Sequence, residues 1–171
     1  DKTLPQMVKM LEAIFENHKS EKGIVHTHSN KIAYYIKNNI NRKFKRRILL
    51  AFGEDREKML EKHKKSKEKT ILISSSMSEG VDLKGDLSSF QVLCKVPFPF
   101  LGDKVVKKKM NKWSWWYNTE TIRTIIQSIG RSIRSEDDKA VTYILDGDWS
   151  RVKSKSRSSF PNNFFKNYHE Y

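Results

Sequence analysis

Apolar positions along this chain alternate between two rhythms. Met7, Val8, Leu11, Ile14 and Phe15 recur at helical spacing behind Thr3-Leu4-Pro5-Gln6, which reads as a capping box with proline in the first turn. A helix ending near His18 to Lys22 is predicted. Residues 23–28 (Gly-Ile-Val-His-Thr-His) then read as a short buried strand, and residues 30–40 as a helix for Ser29 to cap. The same alternation continues. Residues 46–52 form a strand around Ile48-Leu49-Leu50-Ala51, and residues 56–69 a charged helical stretch holding Met59 and Leu60. Residues 70–73 and 90–96 are further strands, the second stopped by Pro97 and Pro99, and residues 141–146 close the sheet. Strand, polar turn and helix in repetition is the unit of a parallel sheet, so the predicted fold is a three-layer α/β/α domain with a mainly parallel central sheet.

One further helix carries the densest information. At about 100° per residue, Ile122, Ile125, Ile126, Ile129 and Ile133 fall on one side, and Gln127, Arg131 and Arg134 on the other. Such a helix buries an isoleucine stripe and presents two guanidinium groups with an amide between them. A planar guanidinium grips two oxygens at once, which suits a polyphosphate. Taken alone, the same pattern also describes a solvated helix face.

Composition narrows the setting. At 171 residues the chain is long enough for one domain with its own core. The net charge is +14 and the pI near 9.8, which favours a polyanionic partner. No run of 18 apolar residues marks a membrane span, and the amphipathic stretch from Met7 to Phe15 is not a signal peptide. The single cysteine, Cys94, offers no internal disulfide or cysteine-based metal cage, which fits a reducing, intracellular setting. The expected compartment is the cytoplasm of a prokaryote or virus-infected cell, or the nucleus of a eukaryote.

Several local patterns bear on chemistry. The strand at residues 70–73 runs into Ser74-Ser75-Ser76-Met77-Ser78-Glu79-Gly80-Val81-Asp82, small hydroxyl residues where α/β proteins place ligands. Gly80 and Gly85 have P-loop spacing, but Asp86-Leu87 follows where Lys-Ser/Thr is required. Val141 to Asp146 superficially resembles a Walker B strand, but no second acid follows and no P-loop precedes it. His26 and His28 are expected on one strand face, a metal pair only if a third ligand joins them. Residues 101–118 interrupt the rhythm and set Lys104, Lys107, Lys108, Lys109 and Lys112 before Trp113, Trp115 and Trp116. Cations beside aromatic planes suit a single strand, although Trp116 is expected to pack on the domain. Residues 150–159 alternate Ser with Lys and Arg and read as a loop or linker, with Phe160, Phe164 and Phe165 available to dock the tail.

Gln127-Ser128-Ile129-Gly130-Arg131-Ser132-Ile133-Arg134, preceded by Trp116-Tyr117, Val96-Pro97-Phe98-Pro99 and Ser78-Glu79-Gly80-Val81-Asp82, resembles the C-terminal motor lobe of superfamily-two helicases, specifically the XPD/DinG branch. DEAD-box relatives usually carry His where Gln127 stands. The resemblance runs from about residue 3 to residue 146. It implies a RecA-like lobe at residues 1–149, with 101–118 as a basic and aromatic insertion and 150–171 as a tail docked on the lobe or linking onward. It implies that Arg134, with Arg131, reaches the γ-phosphate of ATP, that Gln127 holds the neighbouring geometry, and that Glu79, Gly80 and Asp82 face the ATP cleft. Thr27, His28, Ser29, Ser75 and Ser76 would meet the nucleic-acid backbone, a role that physics allows at a strand-to-helix turn. The basic and aromatic pattern adds Lys107, Lys108 and Trp113.

The resemblance further implies that ATP and Mg²⁺ are bound mainly by an N-terminal helicase lobe of the same protein, which supplies Walker A and D-E-x-H. Any iron–sulfur cluster also belongs to that lobe, and none to this chain. The implied substrate is single-stranded DNA, with 5′→3′ movement and no membrane partner. The start at Asp1 fits a piece cut from a longer protein, or a processed chain. Two alternatives differ in kind: a stand-alone nucleic-acid-binding or scaffold domain descended from a helicase lobe, and a lobe of an RNA helicase or restriction translocase.

Overall fold

A computed structural model describes residues 3–75, 83, 85–130 and 140–170. Five parallel strands form one sheet in the order β2-β3-β1-β4-β5: β1 Gly23–His26, β2 Ile48–Leu50, β3 Ile71–Ser74, β4 Phe90–Leu93 and β5 Val141–Ile144. Alternation within each strand decides which layer a side chain joins. Val25, Ile48, Ile71, Ile73, Phe90 and Val92 pack beneath helices α1 (Thr3–Asn17), α2 (Asn30–Asn39) and α3 (Arg42–Lys45). On the opposite face, Ile24, Leu49 and Leu72 meet Leu60 of α4 (Arg56–Lys65). Leu93 and Ile144 there meet Ile122 and Ile125 of α6 (Trp116–Ile129) and Trp149 and Val152 of α7 (Asp148–Ser156). Between β4 and α6 lies α5 (Lys104–Lys112), none of whose residues is buried. The expected three-layer parallel architecture is therefore present. Among the described residues no helix is long and apolar enough to cross a membrane.

Several local expectations change. Residues 150–159, read as a loop or linker, lie largely within α7. The Ser-Lys-Arg run hides its apolar partners: Trp149 precedes it, Val152 sits inside it, and both pack with Phe160 from beyond it. Residues 101–118 contain α5 and the first turn of α6, so two helices stand between β4 and β5. β1 ends at His26, although the Thr27 amide still donates to the Ser74 carbonyl (2.9 Å). The shared face expected for His26 and His28 is absent, because His28 turns to φ +59° and leaves the strand while His26 stays buried. The charged stretch of residues 56–69 is helical only to Lys65.

The amino-terminal edge of the sheet is built from cations sealed onto carbonyls. Arg47 donates to the Phe15, His18, Glu21 and Lys69 carbonyls at 2.6–3.1 Å, closing the end of α1. Lys22 is buried, and its Nζ donates to the His63 carbonyl (2.6 Å) at the end of α4. Both place positive charge where a helix leaves unpaired carbonyls.

Candidate nucleic-acid interface

The carboxyl ends of β1, β3 and β4 converge. His26 is in register with Ser74 on one side and Leu93 on the other. Thr27-His28-Ser29, Ser75 and Lys95 therefore lie on one edge of the sheet. Thr27 is fully buried, and its hydroxyl donates to the Ser29 carbonyl (2.9 Å), so it fixes the turn instead of presenting a donor to solvent. His28 is exposed in the left-handed region. Packing beneath it and the Lys95 ammonium hold its imidazole below the usual histidine range. Ser29 is the N-cap residue of α2, but its side chain makes no cap hydrogen bond, unlike the expected role. That hydroxyl is not committed to the helix end. Ser75 is half-buried just past β3. Sequence reasoning missed Lys95, which becomes visible only once the β1–β4 register sets it beside His28.

Gln127 lies exposed near the end of α6. The Ile129 carbonyl accepts from Gln91 Nε2 (3.2 Å), which also reaches the Thr142 hydroxyl (2.9 Å). Gln91 and Thr142 are the second residues of β4 and β5, so α6 ends beside the amino-terminal half of these strands. Gln127 and the Thr27–Ser29 turn accordingly lie toward different ends of the sheet. The isoleucine stripe forms as expected: Ile122 and Ile125 are buried and Ile126 and Ile129 partly so, with Thr121 and Ser128 buried beside them. Arg131 and Arg134, with Ile133, and Ser76, Glu79, Gly80 and Asp82 lie outside the described residues. Gly85 has a left-handed φ of +58° and opens a short turn at Asp86-Leu87. Asp146 is a clip: its carboxylate accepts from the Val96 amide (2.8 Å) and the Asp148 amide (3.1 Å), tying the end of β4 to the start of α7.

The basic and aromatic segment forms a second surface. Asp103 caps α5 by accepting from the Val105 and Val106 amides. Lys107 and Lys108 are exposed. Lys112 lies 4.7 Å over the Trp113 ring and Lys109 5.2 Å over Trp116. Trp116 is half-buried, so it joins α5 to α6 through this cation–π contact. Among the described residues no three His, Cys, Asp or Glu side chains converge as metal ligands.

The family model described as "Helicase C-terminal domain" matches residues 11–167. The ATP-dependent DNA helicase DinG of Photobacterium profundum is 33% identical over 129 residues, covering 68% of this chain and 18% of that protein. YoaA of Haemophilus influenzae, named an ATP-dependent DNA helicase, is 29% identical over 107 residues, covering 58% of this chain and 17% of its own. The chain thus spans under a fifth of these relatives' length. Among solved structures, S. tokodaii Xpd4 superposes with a TM-score of 0.66 at 19% identity, covering 94% of this chain and 33% of that one. The C-terminal domain of S. cerevisiae Dbp5 gives 0.62 at 16% identity, covering 94% of this chain and 83% of that domain. These structural likenesses establish the RecA-like fold. With 157 consecutive residues spanned by the family model, the chain belongs to the helicase C-terminal domain family.

Proposed function

We propose that the chain is the second motor lobe of an ATP-dependent DNA helicase, gripping single-stranded DNA at the carboxyl edge of its sheet and completing an ATP site shared with an N-terminal lobe. The observation that carries this is the family match over residues 11–167 together with the convergence of Thr27-His28-Ser29, Ser75 and Lys95 on one sheet edge. His28, Ser29, Ser75 and Ser76 contact the backbone phosphates, and Thr27 holds the turn. Lys107, Lys108 and Trp113 extend the contact along α5.

ATP lies between the lobes. Arg134, with Arg131, crosses that cleft and stabilises charge on the γ-phosphoryl group as it transfers, an effect worth on the order of 10³–10⁵ in rate. Gln127 holds the neighbouring geometry, and Glu79, Gly80 and Asp82 line this lobe's side of the cleft. Magnesium ligands are assigned mainly to the first lobe, as the resemblance to XPD/DinG helicases implies. The arginines engage the γ-phosphate only when the lobes close, so hydrolysis loosens the pair. Because the strand is held toward the other end of the same sheet, each closure and opening shifts the grip along the DNA. The polarity inferred from the branch is 5′→3′.

The test uses the two-lobe protein. Arg134→Ala is expected to abolish ATP turnover while leaving ATP binding largely intact. Weakened binding with unchanged turnover at saturating ATP would remove the finger role.

A further inference from the structure

Five of the eight large apolar side chains that stand exposed in the described structure fall within sixteen residues: Phe100, Leu101, Val105, Trp113 and Trp115. The same stretch carries five lysines against one acid, Asp103, whose carboxylate is occupied in capping α5. An apolar patch set in net positive charge fits a polyanion with planar apolar groups, which is a single strand with its bases unstacked. The aromatic rings of this patch are not equivalent. Trp113 shares its face with the Lys112 ammonium, and Trp116 lies under Lys109. Trp115 is 62% exposed, and among the described residues no cation lies over its ring. Its backbone is held firmly, because the Thr119 amide and hydroxyl both donate to its carbonyl, at 3.2 and 3.0 Å. Phe100 is 78% exposed, and a Cβ placed on Gly102 would come within 2.3 Å of its ring. Its ring therefore rests against a residue without a side chain, in a turn closed by the Asp103 amide on the Phe100 carbonyl (3.1 Å).

We propose that Trp115 and Phe100 are base-stacking platforms at the two ends of α5, and that Trp113, singled out by the sequence, is a lysine-bearing side wall. This rests on the single-strand reading above and adds to it the parts of the strand that this surface takes, the base planes. The rings bracket a basic helix about 13 Å long, so the phosphates between two stacked bases run past its lysines.

The 171-residue chain is titrated at low salt with an oligothymidylate of about ten nucleotides and with an abasic strand of equal length. The parent is expected to bind the thymidylate roughly tenfold more tightly than the abasic strand. Trp115→Ala should erase most of that ratio without changing affinity for the abasic strand, and Trp115→Phe should keep it. Phe100→Ala reports the second platform in the same way, and circular dichroism confirms that each variant is folded. Equal parental affinity for the two strands, or an undiminished ratio in folded Trp115→Ala, would overturn the platforms while leaving the phosphate contacts standing. Binding of neither strand would overturn the single-strand reading and the platforms together.

Discussion

His63 is a titrating group of α4 with no exposed surface. Its Nε2 bonds the Leu87 carbonyl (2.8 Å) and its Nδ1 the Thr70 hydroxyl (2.8 Å). With Nε2–H donating to the carbonyl and Nδ1 accepting from the hydroxyl, the neutral ring is fully satisfied. Burial holds its pKa below 6.5, the Leu87 hydrogen bond works the other way, and Lys22 adds repulsion. A depressed folded-state pKa means that the unfolded chain takes up the proton first. The stability contributed by neutral His63 is thus complete above pH 6.5 and is lost as pH falls through the folded-state value. We expect urea-unfolding free energy to decline on acidification below 6.5, by at most about 1.4 kcal/mol per pH unit from this group, with a shallower slope in His63→Gln. Equal slopes would show that the ring is not held neutral. Sequence alone gave no sign of this residue, because a histidine among lysines on a charged helix reads as solvated. Arg47 and Lys22 were equally illegible: an arginine spent on four carbonyls looks the same in sequence as one waiting for a phosphate.

At the scale of elements, what was readable is what periodicity controls. The strand cores Ile24-Val25, Ile71 to Ile73 and Val92-Leu93 stand out because a parallel strand is covered on both faces and reads as an apolar run. α7 escaped detection because its burial is delegated to a few large rings. Trp149 packs edge-on against Phe160 (5.8 Å), and its Nε1 donates to the Tyr168 hydroxyl (3.1 Å). Arg157 caps the Phe165 ring at 4.5 Å. The alternating Ser, Lys and Arg residues between these anchors carry little apolar signal. Trp149→Ala is expected to destabilise the chain by about 3–5 kcal/mol in urea titration, as for a large buried aromatic in a core. A cost near zero would mean that residues 150–170 form a separable tail rather than part of the lobe's second core. The turn after β1 shows the other limit of sequence reading. Its residues were legible as the turn between β1 and α2, but which of them faces solvent depends on the left-handed φ at His28, and the strand–turn–helix pattern does not announce that.

For the whole molecule, the net charge of +14 does not translate into one uniformly basic face. Lys22 and Arg47 are consumed at the amino-terminal edge of the sheet. On α4, Lys64 and Lys65 both pair with Glu61 at 3.3 Å. Of the cations placed near the proposed strand, Lys95 at the carboxyl edge and Lys107 and Lys108 on α5 stand exposed. Each phosphate neutralised on a single strand contributes about −0.7 to the slope of log affinity against log salt, through release of condensed counterions. If Lys107 and Lys108 each meet a phosphate, the double variant Lys107→Gln/Lys108→Gln flattens that slope by about 1.4. Lys64→Gln/Lys65→Gln removes the same formal charge from a surface already paired within the chain and should leave the slope unchanged. A field spread evenly over the molecule would make the two double variants equivalent. The difference between their slopes, measured with one oligonucleotide across a salt series, therefore decides whether the strand follows a defined track over this lobe or is held by overall charge alone.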